Sequence, residues 1–306
     1  MVRGRFAPSP TGLLHLGNAR SALLGWLQAR AAGGEFLLRI EDLDPDRCRP
    51  QYIDALYRDL EWLGLTWDGP VLKQSERAQL YREALGVLDA KGLTFFCTCS
   101  RADLQRAASA PHEGEDGPVY PGTCRNGVTQ PGRPASVRFR ARGGLTRFVD
   151  LIHGEYTQDV AQQVGDFVIR RADGVASYQL AVVVDDAAQG VTEVVRGDDL
   201  LPSTARQYLL RRALGLPEPA YFHVPLVVDT AGRRLAKRAD DLSLAELRDR
   251  GVDARAIASW VARTAGIADA RQESAAELAS RFSMHRVPHS QVSVSSQGVV
   301  ELLGAR

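Results

Sequence analysis

Lysine is nearly missing from this chain. Of 38 basic residues along 306 positions only three are lysine, at 73, 91 and 237, which leaves 35 arginines. A bias this strong reflects genomic base composition, and it makes each surviving lysine informative. A compact ammonium acting as a point charge on phosphate is poorly replaced by a planar guanidinium. Lys237 falls inside a motif described below, while Lys73 and Lys91 read as surface residues. Long apolar runs are missing too: no stretch of roughly eighteen apolar residues occurs, so no membrane-spanning helix is expected. Neither sign of charge dominates. A net charge of +1 excludes a protein that binds polyanions through its overall field and confines any RNA contact to local patches. No apolar signal segment follows Met1, so the expected location is the cytoplasm. No internal repeat is visible. What remains, 44% hydrophobic and 25% charged, is the composition of an ordinary globular protein with room for two or three domains.

The stretch from Arg5 to Asn18 carries the most information. An apolar-leaning run, Val2 to Ala7, breaks at Pro8-Ser9-Pro10-Thr11-Gly12, where two prolines and a glycine forbid regular structure. Helical spacing then begins, with Leu16, Ala19, Leu23 and Leu27 three and four apart. Strand, sharp loop and helix together bring a helix N-terminus up to a bound phosphate. Here that N-terminus carries His15, Gly17 and Asn18. The glycine lets a planar or anionic ligand approach the backbone, and the two side chains supply donors to phosphate oxygens. In isolation His15 reads as a cap or a surface residue; the flanking Pro-Ser-Pro-Thr-Gly favours the phosphate.

About ninety residues at the start alternate strand and helix. Glu35 to Ile40 reads as a buried strand, Ile53, Leu56, Tyr57, Leu60 and Leu63 mark one face of a helix, and another helix runs from about Glu76 to Ala90. This βαβ start predicts a parallel sheet with nucleotide held beyond the carboxyl ends of its strands. From Thr94 the texture changes to cysteine, proline and glycine, then short alternating segments such as Ser136 to Arg140, an insertion of mostly antiparallel strands. Sheet-like segments are expected again at Val182–Val184 and Thr192–Arg196, then a helix from about Ser203 to Leu214 and a strand at Phe222–Val228. After Ser243 the pattern is helical, and residues 114–118 read as a flexible loop.

Three of the four cysteines cluster as Cys97-Thr-Cys99 and Cys124. Cytosolic cysteines seldom form disulfides, and three thiolates at this spacing suit a closed structural zinc site that needs a fourth ligand. His112 and Tyr120 are both placed to supply it, and on ligand chemistry alone histidine is the commoner choice. Cys48 has no partner in sequence.

Pro10-Thr-Gly-Leu-Leu-His15-Leu16-Gly17-Asn18-Ala19 resembles the HIGH signature of class I aminoacyl-tRNA synthetases, and Arg5-Phe-Ala-Pro-Ser9 before it has the form typical of the glutamyl and glutaminyl branch. Further matches follow in family order: Leu38-Arg-Ile-Glu41-Asp42-Leu-Asp44, Ser177-Tyr178-Gln-Leu-Ala-Val-Val-Val-Asp185-Asp186, and Val195-Arg196-Gly197-Asp198-Asp199. Arg234-Leu235-Ala236-Lys237-Arg238 sits where the family carries its second signature, KMSKS. The resemblance spans roughly residues 3–245. It implies an α/β fold, a class I Rossmann-like parallel sheet with an inserted zinc-containing α+β domain and a short C-terminal helical segment. The corresponding limits are 1–80 with 184–231 for the split catalytic domain, 81–183 for the insertion, and 232–306 for the helical segment with the second signature.

The resemblance also implies the site. Glutamate would be held at Arg5, Phe6, Ala7, Pro8, Ser9, Glu41, Tyr178 and Arg196: arginine forks suit its carboxylates and an acidic residue suits its ammonium. ATP, with Mg²⁺, would meet His15, Gly17, Asn18 and Lys237, of which His15, Asn18 and Lys237 are the catalytic set. The usual lysine and serine of the second signature are replaced by Arg234 and Ala236, which predicts a lowered rate with activity retained. The cysteine pattern resembles the zinc site of the short glutamyl-Q branch, which implies Cys97, Cys99, Tyr120 and Cys124 as ligands. That branch lacks a separate anticodon-binding domain, and this chain ends about seventy residues after Lys237.

The implied activity is glutamate activation without tRNA, followed by transfer to the queuosine base in the anticodon loop of tRNA(Asp), by a monomer with no membrane partner. Two other readings stand beside it: a minimal glutamyl-tRNA synthetase charging the 3′ end of tRNA(Glu), and a non-catalytic glutamate- or RNA-binding paralogue. Retention of His15, Asn18 and Lys237 weighs against the last. Basic patches available to RNA are Arg133, Arg138, Arg140, Arg142 and Arg147, then Arg206, Arg211 and Arg212; such contacts orient a nucleic acid without specifying sequence. If Lys237 neutralises the departing pyrophosphate, Lys237→Ala should cut glutamate-dependent ATP–pyrophosphate exchange by about 10²-fold or more. Unchanged exchange would remove Lys237 from the mechanism.

Overall fold

The computed structural model describes residues 1–107, 119–232 and 243–294. The second signature at 234–238, His112 and the loop expected at 114–118 lie outside the described residues. Strand β1 (Arg3–Phe6) pairs in parallel with β2 (Glu35–Ile40), and helix α1 (Leu16–Ala31) connects them. Leu16, Ala19, Leu23 and Leu27 form the buried stripe the sequence spacing predicts, but Ala22, Leu24 and Trp26 are buried as well. Such a helix is covered nearly all round, by the sheet on one side and C-terminal helices on the other. Helix α2 (Pro50–Trp62), with proline in its first turn, leads to β3 (Leu72–Lys73), which extends the sheet in parallel on β2. Helix α3 (Ala78–Ala90) follows.

The middle of the chain supplies β4 (Thr94–Cys97), α4 (Arg101–Ala107), β5 (Ser136–Phe139), β6 (Thr146–Asp150), β7 (Gly154–Gln158), α5 (Val160–Gln163) and β8 (Phe167–Arg170). β4, β5 and β8 form a small antiparallel sheet. β6 and β7 do not join it. β6 instead pairs in parallel with a strand of the main sheet, carrying β7 antiparallel on its outer edge. The antiparallel strands expected after Thr94 are thus divided between two sheets, and β6 ends in Asp150, which reappears in the site.

Helix α6 (Tyr178–Ala188), strand β9 (Glu193–Gly197), helix α7 (Leu201–Leu214) and strand β10 (Ala220–Val224) return the chain to the main sheet. Val182–Val184 thus lie in a helix, against the sequence expectation of sheet. A short apolar run of β-branched residues cannot be separated from a buried helix segment by periodicity. The helical penalty of valine is well under about 1 kcal/mol per residue, and packing overrides it. Leu180 to Asp186 are all buried. α7 ends where Gly215 adopts φ +70°, a left-handed cap that glycine takes without strain.

β9 and β10 pair in parallel. β9 lies against β1 through Thr192 N–H, which donates to the Arg3 carbonyl at 2.9 Å. Across the molecule the strands therefore run β3-β2-β1, then β9-β10-β6-β7, so the order reverses between β1 and β9. This is the doubly wound pattern, in which ligands sit outside the carboxyl ends of the strands at the reversal. Short strand β11 (Val227–Val228) pairs with β12 (Val292–Ser293) after helices α8 (Leu244–Asp249), α9 (Ala254–Thr264) and α10 (Ala275–Ala279). α8 and α10 start at Ser-x-x-Glu capping boxes, Ser243 with Glu246 and Ser274 with Glu277. One apolar core joins α1 to the C-terminal helices and a second joins α3, α6 and α7 to the small sheet. No helix among the described residues is long and apolar enough to cross a membrane.

Candidate active site

Between the carboxyl ends of β1 and β9 opens a cavity of about 190 Å³, room for a small ligand rather than a polymer. Arg5, Glu41, Tyr178 and Arg196 line it, with the loop residues Phe6, Ala7, Pro8 and Ser9. His15, Gly17 and Asn18 line the same cavity from the start of α1. The loop is fastened to the end of β2, because the Pro8 carbonyl accepts the Glu41 N–H at 3.0 Å.

The charges are fixed from behind. Asp186 on α6, 2% exposed, accepts Arg39 Nη1 at 2.7 Å, Arg5 Nε at 3.2 Å and Arg211 Nη2 at 3.4 Å. Burial by itself would raise the Asp186 carboxyl. The guanidinium groups of Arg5, Arg39 and Arg211 outweigh that and hold it well below the usual carboxylate range. Arg39 also donates from Nη2 to Glu41 Oε1 at 3.1 Å. Burial raises the Glu41 carboxyl, outweighing the opposing pull of Arg39 and Arg5. A ligand ammonium beside Glu41 would favour its ionised form.

Arg196 is held by three groups on its far side. Its Nη2 donates to Thr204 Oγ1 at 2.7 Å and Gln207 Oε1 at 2.8 Å, and its Nε donates to His223 Nε2 at 3.0 Å. A guanidinium has no lone pair to offer, so His223 Nε2 is the acceptor and the imidazole proton sits on Nδ1. Nδ1 lies 2.7 Å from Asp150 Oδ2, the residue that β6 brings into the sheet. Desolvation pushes His223 down to about 4, against the opposing hydrogen bond from Asp150, so the ring is neutral at physiological pH. What remains is Arg196 Nη1, which reaches the Tyr178 hydroxyl at 3.3 Å on the cavity side.

At the start of α1, His15 is the helix cap and a cavity wall at once. Its Nδ1 accepts the Gly17 N–H at 3.1 Å while Asn18 Oδ1 accepts the His15 N–H at 3.2 Å. Accepting at Nδ1 places the proton on Nε2, the tautomer that donates outward. Gly17 serves the imidazole rather than open space: a Cβ there would meet His15 Cε1 at 3.0 Å and Nδ1 at 3.1 Å. Arg20, one turn further, also lines the cavity. Desolvation lowers it to about 10, with Asp198 opposing, and its Nη2 is buried without a hydrogen-bond partner. Ser243, the first described residue after the second signature, forms an antiparallel bridge with His15.

A second cluster forms where β4 ends. The Sγ atoms of Cys97, Cys99 and Cys124 lie within 4.8 Å of one another. Tyr120 Oη is 3.5 Å from Cys97 Sγ and accepts the Cys124 N–H at 2.7 Å. The three thiols form a group that could hold a metal ion, and the phenol oxygen lies beside one of them. The Arg138 guanidinium lies over the Tyr120 ring at 3.9 Å, while burial pushes the Tyr120 phenol well above its ordinary value. Burial pushes the Cys99 thiol up to about 12. At Cys124 the same desolvation is outweighed by hydrogen bonds with Thr129 and the Thr98 backbone, which bring it down to about 6.

Asp150, His223, Arg39 and Arg20 carried no motif signal that assigned them a role, although His223 stands in a strand the apolar pattern located. The RNA patch fares differently from its expectation. Arg138, Arg206 and Arg211 are buried, Arg211 on Asp186, while Arg133 pairs with Asp103 at 3.3 Å and Arg212 with Glu218 at 2.9 Å. Arg211 is thereby spent on a buried carboxylate, while Arg133 and Arg212 remain at the surface in exposed pairs.

Residues 1–298 match the family model for the catalytic domain of class I tRNA synthetases for glutamate and glutamine. A protein of Symbiobacterium thermophilum named glutamyl-Q tRNA(Asp) synthetase is 47% identical, covering 99% of both chains. One of the same name from Deinococcus radiodurans is 52% identical over 82% of this chain and 84% of its own. Among solved structures, a glutamate tRNA ligase from Elizabethkingia meningosepticum in complex with its amino acid superposes with a TM-score of 0.84 at 26% identity, covering 98% of this chain and 68% of that one.

The neutral, buried His223 makes stability depend on pH. Its folded pKa of about 4 lies below the value near 6.5 of an unfolded histidine. The unfolded chain therefore takes up the proton first, and the contribution is complete above about pH 6.5 and is lost as pH falls toward 4. Urea titrations should show stability declining through this window, and His223→Gln should flatten the decline by roughly 3 kcal/mol at its lower end. Equal slopes in the two proteins would contradict the buried neutral histidine.

Proposed function

The chain belongs to the class I synthetase family for glutamate and glutamine, in the branch whose curated members are named glutamyl-Q tRNA(Asp) synthetase, and from that footing we propose that it activates L-glutamate with ATP, without tRNA, and transfers it to queuosine at the wobble position of tRNA(Asp). One observation carries the reading: arginines fixed from behind and the buried carboxylate of Glu41 line one small cavity that the donor end of a helix also enters. Arg5 and Arg196 suit the two carboxylates of glutamate, and Glu41, with Tyr178 and Ser9 beside it, suits the ammonium. An α-carboxylate oxygen attacks the α-phosphorus of ATP, the bond from that phosphorus to the bridging oxygen breaks, and pyrophosphate departs.

His15 and Asn18 donate to the phosphates at the positive end of α1, where charge developing in the transition state meets dipoles already in place. Mg²⁺, brought with ATP, shares the neutralisation. Lys237 is assigned to the leaving pyrophosphate. In the second step a hydroxyl of the cyclopentene diol attacks the carbonyl of the adenylate and AMP leaves. The donor set of Cys97, Cys99, Cys124 and Tyr120 fits zinc, which would tie β4 to the loop before β5 as a closed structural site. A cytoplasmic setting accords with free thiols at these positions.

Purified protein incubated with ATP, labelled glutamate and bulk tRNA tests the proposal. Exchange of pyrophosphate without tRNA, and label on tRNA(Asp) only when queuosine is present, are the expected results. Label on the 3′ end of tRNA(Glu) would favour a minimal charging enzyme, and absence of adenylate would favour a non-catalytic binder.

A further inference from the structure

The small sheet beside the cysteine cluster carries a second groove, of about 810 Å³. Strand register explains its chemistry. Phe96 on β4 stands opposite Val137 on β5, and Val137 opposite Arg170 on β8, so the three form one row across one face. Phe96 is 57% exposed, unusual for a phenylalanine within a paired strand. The Arg170 guanidinium lies over its ring at 5.8 Å, and Arg140 lies over neighbouring Phe95 at 4.7 Å. Arg140 is held on its own side of the strand, its Nε donating to the Thr94 carbonyl at 3.2 Å, whereas Arg170 has no carboxylate partner among the described residues and its Nε is buried without any hydrogen-bond partner. Arg125 lines the same groove, and Asp89 is the one acidic residue there.

An exposed ring beside a guanidinium that has no carboxylate partner matches one ligand unit well: a nucleotide, whose base stacks and whose phosphate takes the cation. An acidic peptide would use the charges but leave the ring uncovered. The groove also stands close to the active site. Arg170 forms an antiparallel bridge with Ala176, two residues before Tyr178, which places the two backbones within roughly 13 Å.

We propose that Phe96, with Arg170, is a stacking platform for an unpaired nucleotide of the tRNA, next to the nucleotide that enters the active site. This rests on the proposed tRNA substrate and adds the surface that holds it. Neither residue lines the catalytic cavity.

The test uses the full zinc-loaded protein with Phe96→Ala, Phe96→Trp and Arg170→Gln. Filter binding of queuosine-containing tRNA(Asp) should weaken about 10-fold in Phe96→Ala and stay within about 2-fold of wild type in Phe96→Trp. Arg170→Gln should reduce the slope of log affinity against log salt by about 0.7. Glutamate-dependent ATP–pyrophosphate exchange should be unchanged in all three, which establishes that each is folded. Equal tRNA affinity and equal tRNA KM in wild type and Phe96→Ala would overturn the platform and leave the row as a face for another protein. Should wild type transfer no glutamate to tRNA(Asp), the proposed reaction fails, while the binding comparison on whichever tRNA it does bind still decides the platform. Binding of no tRNA would overturn both.

Discussion

A single buried carboxylate organises this site. Asp186 gathers Arg5 from β1, Arg39 from β2 and Arg211 from α7 around one side chain of α6. An isolated carboxylate in that position would be heavily penalised by desolvation. Surrounded by three guanidinium groups it stays ionised, and each arginine is held in one orientation. The cluster is also the bolt between the two apolar cores, since α6 belongs to one and β1 and β2 to the other. Breaking a buried set of this kind by removing one partner typically costs about 3–5 kcal/mol, because the remaining charges are left uncompensated. Fold and pocket thus depend on the same contact.

The second arginine of the cavity is fixed by a separate device with the same logic. Asp150, His223 and Arg196 form a chain in which a neutral imidazole passes orientation from a carboxylate to a guanidinium without adding charge. Both arginines therefore meet a ligand already aligned, and little side-chain entropy is lost on binding. The strand β6 that carries Asp150 comes from the middle of the chain and is laid beside β10, which accounts for its departure from the antiparallel sheet around the cysteines.

What could be read from sequence was local. Pro8 to Gly12 forbids regular structure, and the spacing from Leu16 onward starts a helix, so the placement of His15 and Asn18 at its head follows from neighbours in the chain. The cysteine spacing likewise located a donor cluster, and Tyr120, which the resemblance implied as a ligand, has its Oη 3.5 Å from Cys97 Sγ. Partnerships across the fold were not legible. Asp150 and His223 are 73 residues apart, and nothing in either local sequence announces the other. Arg211 looked like a cation for RNA until its carboxylate partner, 25 residues away, was placed. Val182–Val184 misled for a related reason: burial on all sides erases the periodicity that distinguishes helix from strand.

The central claim is that the Asp186 cluster aligns the pocket for an acidic amino acid, and Asp186→Asn tests it most directly, because shape is kept while the charge is removed. In a variant whose far-ultraviolet circular dichroism matches wild type, the KM for glutamate in pyrophosphate exchange should rise by about 10-fold or more while the KM for ATP stays within about 2-fold. A folded variant with an unchanged glutamate KM would contradict the account.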